Sequence, residues 1–368
     1  MSPFPDMRLV MSLFMGVTEM YEEQDEVFVY TGVDQVLPGG IRRVRIDESV
    51  DIISEQRFYG SLSKNDIVSV QFHDGLRKIE KQAFLGCRAL RRIRTPPNVE
   101  ICEAAFAHCP GMLCAAFGEG TKIGNIAFAK CSGLFLVEIG AGTEIGDGAF
   151  MDCENLKFVR IPDATKIGTA AFRICTDLVR VELGNIRTIK SYAFMGCTSL
   201  EYVKMPLIWN EDNSHDASSY GVFDGCVGLT TVELTDDIIE TVSSLGLESW
   251  RNDMNILINT INISLPDIPA DEKTATIKAW MIQVQERLAG YRSEHFNLLK
   301  EASTAIELAA WKIKIDEKNT ASSSGTALCD KPLAKKVKVD MESFRKECRV
   351  NCGASVIIEN VLPFLKLK

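Results

Sequence analysis

The sequence predicts a repeat solenoid of short β-strands and turns with an α-helical C-terminal extension, and three observations predict it. Cysteines stand at Cys87, Cys109, Cys131, Cys153, Cys175 and Cys197, each 22 residues after the last, with a final step of 29 to Cys226. Three residues before each lies a Phe (Phe84, Phe106, Phe128, Phe150, Phe172, Phe194, Phe223), preceded by Ala except at Val222. Three residues after each Cys comes Leu or Met, from Leu90 and Met112 to Leu229, and then a mostly β-branched position such as Ile93, Val137, Val159 or Val232. Self-similarity at a period of about 20–50 residues marks a chain whose units bury their apolar faces by stacking.

Written out, the unit is Ile-Gly/x-x-x-Ala-Phe-x-x-Cys-x-x-Leu-x-x-Val-x-Ile. Over residues 27–240 it resembles the BspA-like class of leucine-rich repeats. That resemblance implies a scaffold for recognition and carries no catalytic residues with it. The segment beyond the repeats looks like the helical tail of leucine-rich repeat proteins predicted in single-celled algae, a likeness that implies no activity.

At 368 residues, 46% apolar and 25% charged, the chain holds one solenoid and a smaller second unit. A formal charge of −9 argues against a nucleic-acid scaffold, which would need a net basic face to neutralise phosphates. No apolar run approaches the ~20 residues that span a bilayer, so no membrane role is expected. Seven of the twelve cysteines occupy one repeat position. Equivalent residues of stacked coils lie ~4.7–4.9 Å apart, inside the range at which a disulfide closes. An oxidising compartment would threaten this row with crosslinks, so a cytoplasmic or nuclear home is expected, with each Cys a small buried apolar residue.

Taken in order, residues 1–26 read as a disordered or loosely packed leader. Leu9 to Val17 imitates the apolar core of a signal peptide, but Asp6 and the acidic run Glu19, Glu22, Glu23, Asp25 and Glu26 do not suit one. From Val27 the pattern turns strand-like. Ile41, Val44 and Ile46 have the spacing of the later strands, and Phe58 lies 26 residues before Phe84. These are degenerate first coils, as expected where a terminal repeat meets water.

Within each regular coil, Leu-x-x-Val-x-Ile predicts a strand with Val and Ile pointing inward. A second short strand is predicted to begin at Ile101, Ile123, Ile145, Ile167 and Ile189, followed by a brief helical turn carrying Ala-Phe. The Phe series should form a continuous buried stack. The last step contains an extra polar loop over residues 207–220, with Trp209 and His215.

After Leu234 the period stops. Residues 241–316 are predicted to form a helical cap and then a long helix or helical hairpin. Trp250, Met254, Leu257 and Ile261 suit a helix that closes the open end of the solenoid, and Pro266 and Pro269 end it. Ile277, Met281, Val284, Leu288 and Tyr291 then alternate steps of four and three. The same grammar continues through Leu299, Ala302, Ile306, Ala309 and Ile313, so the 271–315 helix could also pair with another copy of the chain, as a homo-oligomer. Gly290 marks where a hairpin would bend. Residues 317–340 read as a flexible linker with a basic cluster, and 341–368 as a short structured tail.

Motifs of chemistry are sparse. There is no HExxH, no Gly-x-Ser-x-Gly and no Walker phosphate loop. Gly140-x-Gly142 and Gly146-x-Gly148 recur as repeat turns, and Cys348-x-x-x-Cys352 lacks a second nearby pair for zinc. The chain is therefore expected to be no enzyme and to need no cofactor and no metal. Pro332 to Asp340 is similar to the single-cluster nuclear import signal of Myc-type transcription factors, with Lys335, Lys336 and Lys338 as its basic core.

The outward face of the main strand ladder is the candidate binding surface. Leu136, Phe158, Arg180 and Tyr202 form one row across it, and Arg160 and Lys204 belong to the adjacent row. Tyr and Arg are common interface anchors, and contiguous apolar surface often marks a partner site. The expected function is an intracellular scaffold binding a protein partner on this face. An extracellular adhesion protein and an enzyme with a site in the 207–220 loop are the alternatives, and the helical tail folding over the strand face is a third use of that surface.

Overall fold

The computed structural model describes residues 26–32, 34–60, 67–207, 221–235 and 248–323. The expectations for the leader, for Trp209 and His215, for Lys335, Lys336 and Lys338 and for the 341–368 tail fall outside the described residues. Two compact units emerge, one of residues 1–240 with 251–284 and the other of 241–250 with 285–368.

In the first unit the repeats feed two parallel sheets, one ten-stranded and one seven-stranded. The main sheet begins at Val27–Tyr30 and Arg43–Ile46, passes through Leu136–Glu138 and Phe158–Ile161, and ends at Thr231–Leu234. Its register repeats without slippage: Val137 faces Val159, which faces Val181, then Val203, then Val232. Side chains alternate across a strand, so one register places every Val on the core side, where none is more than 2% exposed.

The second sheet buries Ile53, Ile79, Ile101, Ile123, Ile145, Ile167 and Ile189. On its other side Lys78, Glu100, Lys122, Glu144 and Lys166 follow one another across successive strands with alternating sign. These strands end on their Ile, whereas the sequence pattern suggested that they begin there. The next N–H still donates to the preceding coil, Gly124 to the Ile101 carbonyl and Gly146 to that of Ile123, both at 2.7 Å. That bond is the last rung before the chain turns.

The Ala-Phe segment is likewise two tight turns and not a helical one. In a helix the Phe106 N–H would donate to a carbonyl four residues back. Here it donates to the Ala127 carbonyl of the next coil at 2.8 Å, and Phe128 donates to Ala149 at 2.7 Å. Left-handed residues bracket the segment to make this possible, Ala104 with φ 54° and His108 with φ 56° in one coil, Ile126 with φ 48° and Lys130 with φ 60° in the next.

The aromatic stack runs unbroken from Phe58 to Phe223, with ring centroids 4.9–5.8 Å apart and planes within 11° of parallel. Tyr30 closes its N-terminal end edge-on, at 70° to Phe58. The cysteines do more than fill space. Each row thiol donates to the carbonyl of the preceding coil's Phe, as Cys109 does to Phe84 at 3.3 Å, Cys153 to Phe128 at 3.2 Å and Cys226 to Phe194 at 3.1 Å. Several of these carbonyls already accept the N–H of their own coil's Cys, so the thiol occupies a second lone pair that would otherwise be buried unmet. All seven row cysteines are free thiols.

Two helices follow, α1 over Glu248–Ser264 and α2 over Lys273–Ser323, joined by a 3-10 turn at Leu265–Asp267. Their first-unit residues supply the hydrogen bonds of the coil that is missing. Phe194 donates its N–H to Val222 of the next coil, and Phe223, having no such neighbour, donates to Thr274 Oγ1 at 2.9 Å. Gly228 donates to Thr198, and the equivalent carbonyl of Val227 instead receives Lys273 Nζ at 3.0 Å, which also reaches the Leu229 carbonyl at 2.6 Å. Asn262 pairs with both backbone groups of Val232, accepting at 2.8 Å and donating at 3.2 Å. A single amide thereby stands in for a strand at the sheet edge, where unpaired groups would invite another chain.

α2 is one continuous helix through Gly290, and it includes residues 317–323, which the sequence reading had placed in the linker. Extending a formed helix costs only tenths of a kcal/mol per residue, and about 1 kcal/mol at Gly. Leu288 and Tyr291 of the second unit are buried; the side chains of Leu299, Ala302, Ile306, Ala309 and Ile313 lie outside the description. No helix among the described residues is long and apolar enough to cross a membrane.

Candidate functional site

The outward face of the main sheet is built by the same register that buries the core. With Val137, Val159, Val181 and Val203 turned inward, their neighbours Leu136, Phe158, Arg180 and Tyr202 stand in one row on the opposite face. Glu138, Arg160, Glu182, Lys204 and Glu233 form the adjacent row.

The six residues predicted for this face are brought together there, in three different states. Leu136 is not exposed, as the sequence suggested, but 1% accessible. It packs with Cys114 and Ala116, and the half-buried Phe135 and Phe158 close over it with their rings at 82° and 6.4 Å. The small residues at 114 and 116 leave room for the larger side chains of the neighbouring strands to converge. The result is an apolar cluster on a face that the core does not require to be apolar.

Arg180 and Tyr202 form a second state. The guanidinium lies 3.7 Å from the centre of the Tyr202 ring and donates to Glu182 Oε1 at 2.9 Å from Nε. The Tyr202 hydroxyl donates to the Glu233 carboxylate. Burial and that carboxylate raise the Tyr202 pKa well above its usual range. Arg160 and Lys204 belong to the charged row beside them. Arg160 Nε lies 3.8 Å from Glu182 with about half of its side chain exposed, and Lys204 stands in register between Glu182 and Glu233. Exposed pairs of this kind contribute ~0–1 kcal/mol each.

Sequence reasoning placed Arg92 and Arg94 at the head of the two outward rows, left both out of the candidate site, and missed Arg43 and Arg45 beside them. Arg43 and Arg45 precede and follow the inward Val44, and Arg92 and Arg94 flank the inward Ile93, so all four arginines share the outward side. Between them lies the strand with Ser69 and Gln71, Arg43 facing Ser69 and Ser69 facing Arg92. A groove of about 670 Å³ runs here, lined by Arg43, Arg92 and Arg94 with Asp74 as its one carboxylate. The repeated Arg-Arg-x-Arg of RRVR and RRIR, each around an inward Val or Ile, was the available signal.

Chemically the face offers apolar, aromatic and charged groups for binding. Among the described residues no cluster of three or more His, Cys, Asp or Glu side chains could hold a metal ion. Burial pushes the Cys87 thiol up to about 12 and raises Cys114 on the outward face, which makes both poor nucleophiles.

Comparison with known proteins bears on the repeats. No curated protein matches the chain. Among solved structures it is similar to the leucine-rich repeat protein TpLRR of T. pallidum, at 24% identity over 60% of this chain and 88% of that one, with a TM-score of 0.34. It is also similar to a leucine-rich cell surface protein of Faecalibacterium prausnitzii, at 18% identity over 53% and 79% of the two chains with a TM-score of 0.23. The pneumococcal vaccine antigen PcpA matches at 18% over 52% and 61%, with a TM-score of 0.26. The sequence profile of the BspA-type leucine-rich repeat region, in six copies, matches residues 39–135 and 121–257. With that profile spanning more than half of its length, the chain belongs to the BspA-type leucine-rich repeat family.

Proposed function

We propose that this chain is an intracellular scaffold that captures a protein partner on the outward face of its main sheet. Leucine-rich repeat proteins generally act in protein–protein interaction or adhesion. The observation that carries the reading is the apolar cluster of Leu136, Phe135 and Phe158 beside the Arg180–Tyr202 pair, aromatic and arginine surface that the repeat core does not need. The row of free thiols supports a reducing compartment. In this reading Lys335, Lys336 and Lys338 give access to the nucleus, and the 271–315 helix offers a second contact or self-association.

The test is proximity labelling in cells with the full chain and with Phe158→Ala, Arg180→Ala and Tyr202→Ala combined, after both are shown to unfold at the same urea concentration. A distinct set of labelled proteins lost by the triple variant supports the reading. An unchanged set places binding elsewhere on the chain.

A further inference from the structure

Four arginines occupy the outward positions of three neighbouring strands, and those positions hold no carboxylate. Arg43 and Arg45 lie on one side and Arg92 and Arg94 on the other, with the uncharged Ser69 and Gln71 between them. At the other end of the same face, charges of both signs alternate: Glu138, Arg160, Glu182, Lys204 and Glu233. In a chain of net charge −9 the basic end is a local inversion. Asp74 is the one carboxylate that lines the groove, and Asp47, beside Arg45, is held mainly by the Ser49 hydroxyl and N–H, which lower its pKa.

Arg45 and Arg94 are exposed and make no salt bridge among the described residues, although the charge of Arg45 helps to hold the Asp47 carboxylate down. Clustered cations of this kind repel one another. Their neutral alternatives would cost the repeat nothing, because Cys114, Ala116 and Thr231 fill equivalent outward positions in later coils.

Geometry sets what would fit. Residues two apart on one strand project side chains about 7 Å apart, and two strands away the distance is about 10 Å. Carboxylates at alternate positions of an extended segment meet Arg92 and Arg94 at the first spacing. One or two strands further on stand Cys114, Ala116 and Leu136, with Phe135 and Phe158 closing over them. We infer that the occupant of this face is an acidic protein segment carrying a large apolar residue, its carboxylates on the arginine end and its apolar side chain on the Phe135–Phe158 cluster. This rests on the strand-face reading above and supplies the chemistry of its partner.

The experiment pans a phage-displayed library of random 12-residue peptides on the full chain. Recovered peptides are then synthesised with a fluorescent label and titrated by anisotropy against wild type, Arg45→Gln/Arg94→Gln and Phe158→Ala, each with an unchanged urea midpoint. The expected peptides are rich in Asp and Glu beside Leu or Phe, bind at least tenfold more weakly to the arginine variant, and weaken as salt rises, as exposed charges screened over ~8–10 Å must. Peptides without acidic enrichment, or with equal affinity for the arginine variant, overturn the inference. If such peptides still lose affinity on Phe158→Ala, the strand-face reading survives alone; if they depend on neither site, both fail. A synthetic peptide of residues 18–26 that binds as tightly as the selected ones would assign the groove to the chain's own acidic run and overturn a partner role. Self-association of the wild type that Arg94→Gln abolishes would assign it to a second copy, with the same consequence.

Discussion

Raising the pH above about 9 should destabilise this protein through its thiol row. Burial pushes Cys87 up to about 12 and raises Cys109, Cys153, Cys175 and Cys197, while a hydrogen bond with Cys197 together with burial raises Cys226. In the unfolded chain these thiols ionise near 9.0. The folded state therefore holds more protons above that value, and stability must fall as pH rises, from the unfolded pKa until the folded one is reached. Cys87, held near 12, withdraws about 1.4 kcal/mol one pH unit above its unfolded pKa. Cys109, Cys153, Cys175, Cys197 and Cys226, all raised, draw stability down in the same direction, so the loss near pH 10 exceeds the Cys87 share alone. The assay is urea denaturation followed by far-ultraviolet circular dichroism, in reductant, from about pH 8 to pH 10. The midpoint should be nearly level to about pH 8.5 and then drop steeply. Cys153→Ser/Cys175→Ser, which keeps two donors and removes two ionisations, should make the fall with pH shallower. A midpoint unchanged from about pH 8.5 to 10, or thiolate absorbance that rises while the circular dichroism stays native, refutes the reasoning.

Phe150→Ala, in the middle of the stack, should cost about 3–5 kcal/mol, read as a lower urea midpoint; an unchanged midpoint would mean that the ring is not confined between Phe128 and Phe172. Asn262→Ala removes both bonds to Val232 and should cost about 2 kcal/mol. Its hydrogen exchange should speed up first at Val232, and uniform acceleration along the chain would argue against a local cap. Ile126 sits at φ 48°, where a β-branched side chain is strained. Ile126→Asn, at a position 36% exposed, should raise stability by about 0.5–1 kcal/mol, and a lowered melting temperature would show that its side-chain packing matters more than its backbone.

Much of the fold is legible because in a solenoid a residue's place in the repeat is its place in space. The 22-residue step alone aligns Phe84 with Phe106 and Cys109 with Cys131, and once coils stack in register the Phe rings and the Val positions have nowhere to go but inward. The arginine end of the binding face was only partly caught by this reading, because the strand with Ser69 and Gln71 that brings Arg43 and Arg92 onto one patch lies between the two Arg-Arg-x-Arg segments and carries no arginine itself. Leu136 escaped it because its cover comes from Phe135, the residue before its strand, and from Phe158 in the next coil.

What only the tertiary structure decided is where backbone groups find partners outside their own coil. Ala-Phe has the local character of a helical turn, yet the carbonyl that takes the Phe106 N–H lies in the next coil, and that long-range bond overrides local preference. Lys273, Thr274 and Asn262 carry no mark in the sequence, where a Lys opening a helix reads as solvated. The end of the solenoid makes Lys273 a buried donor, 1% exposed, with burial lowering its pKa and two carbonyls accepting from it. The period of the sequence determined the coil and its core. Unmet hydrogen bonds at the last coil, which exist only once the coils have stacked, determined how it ends.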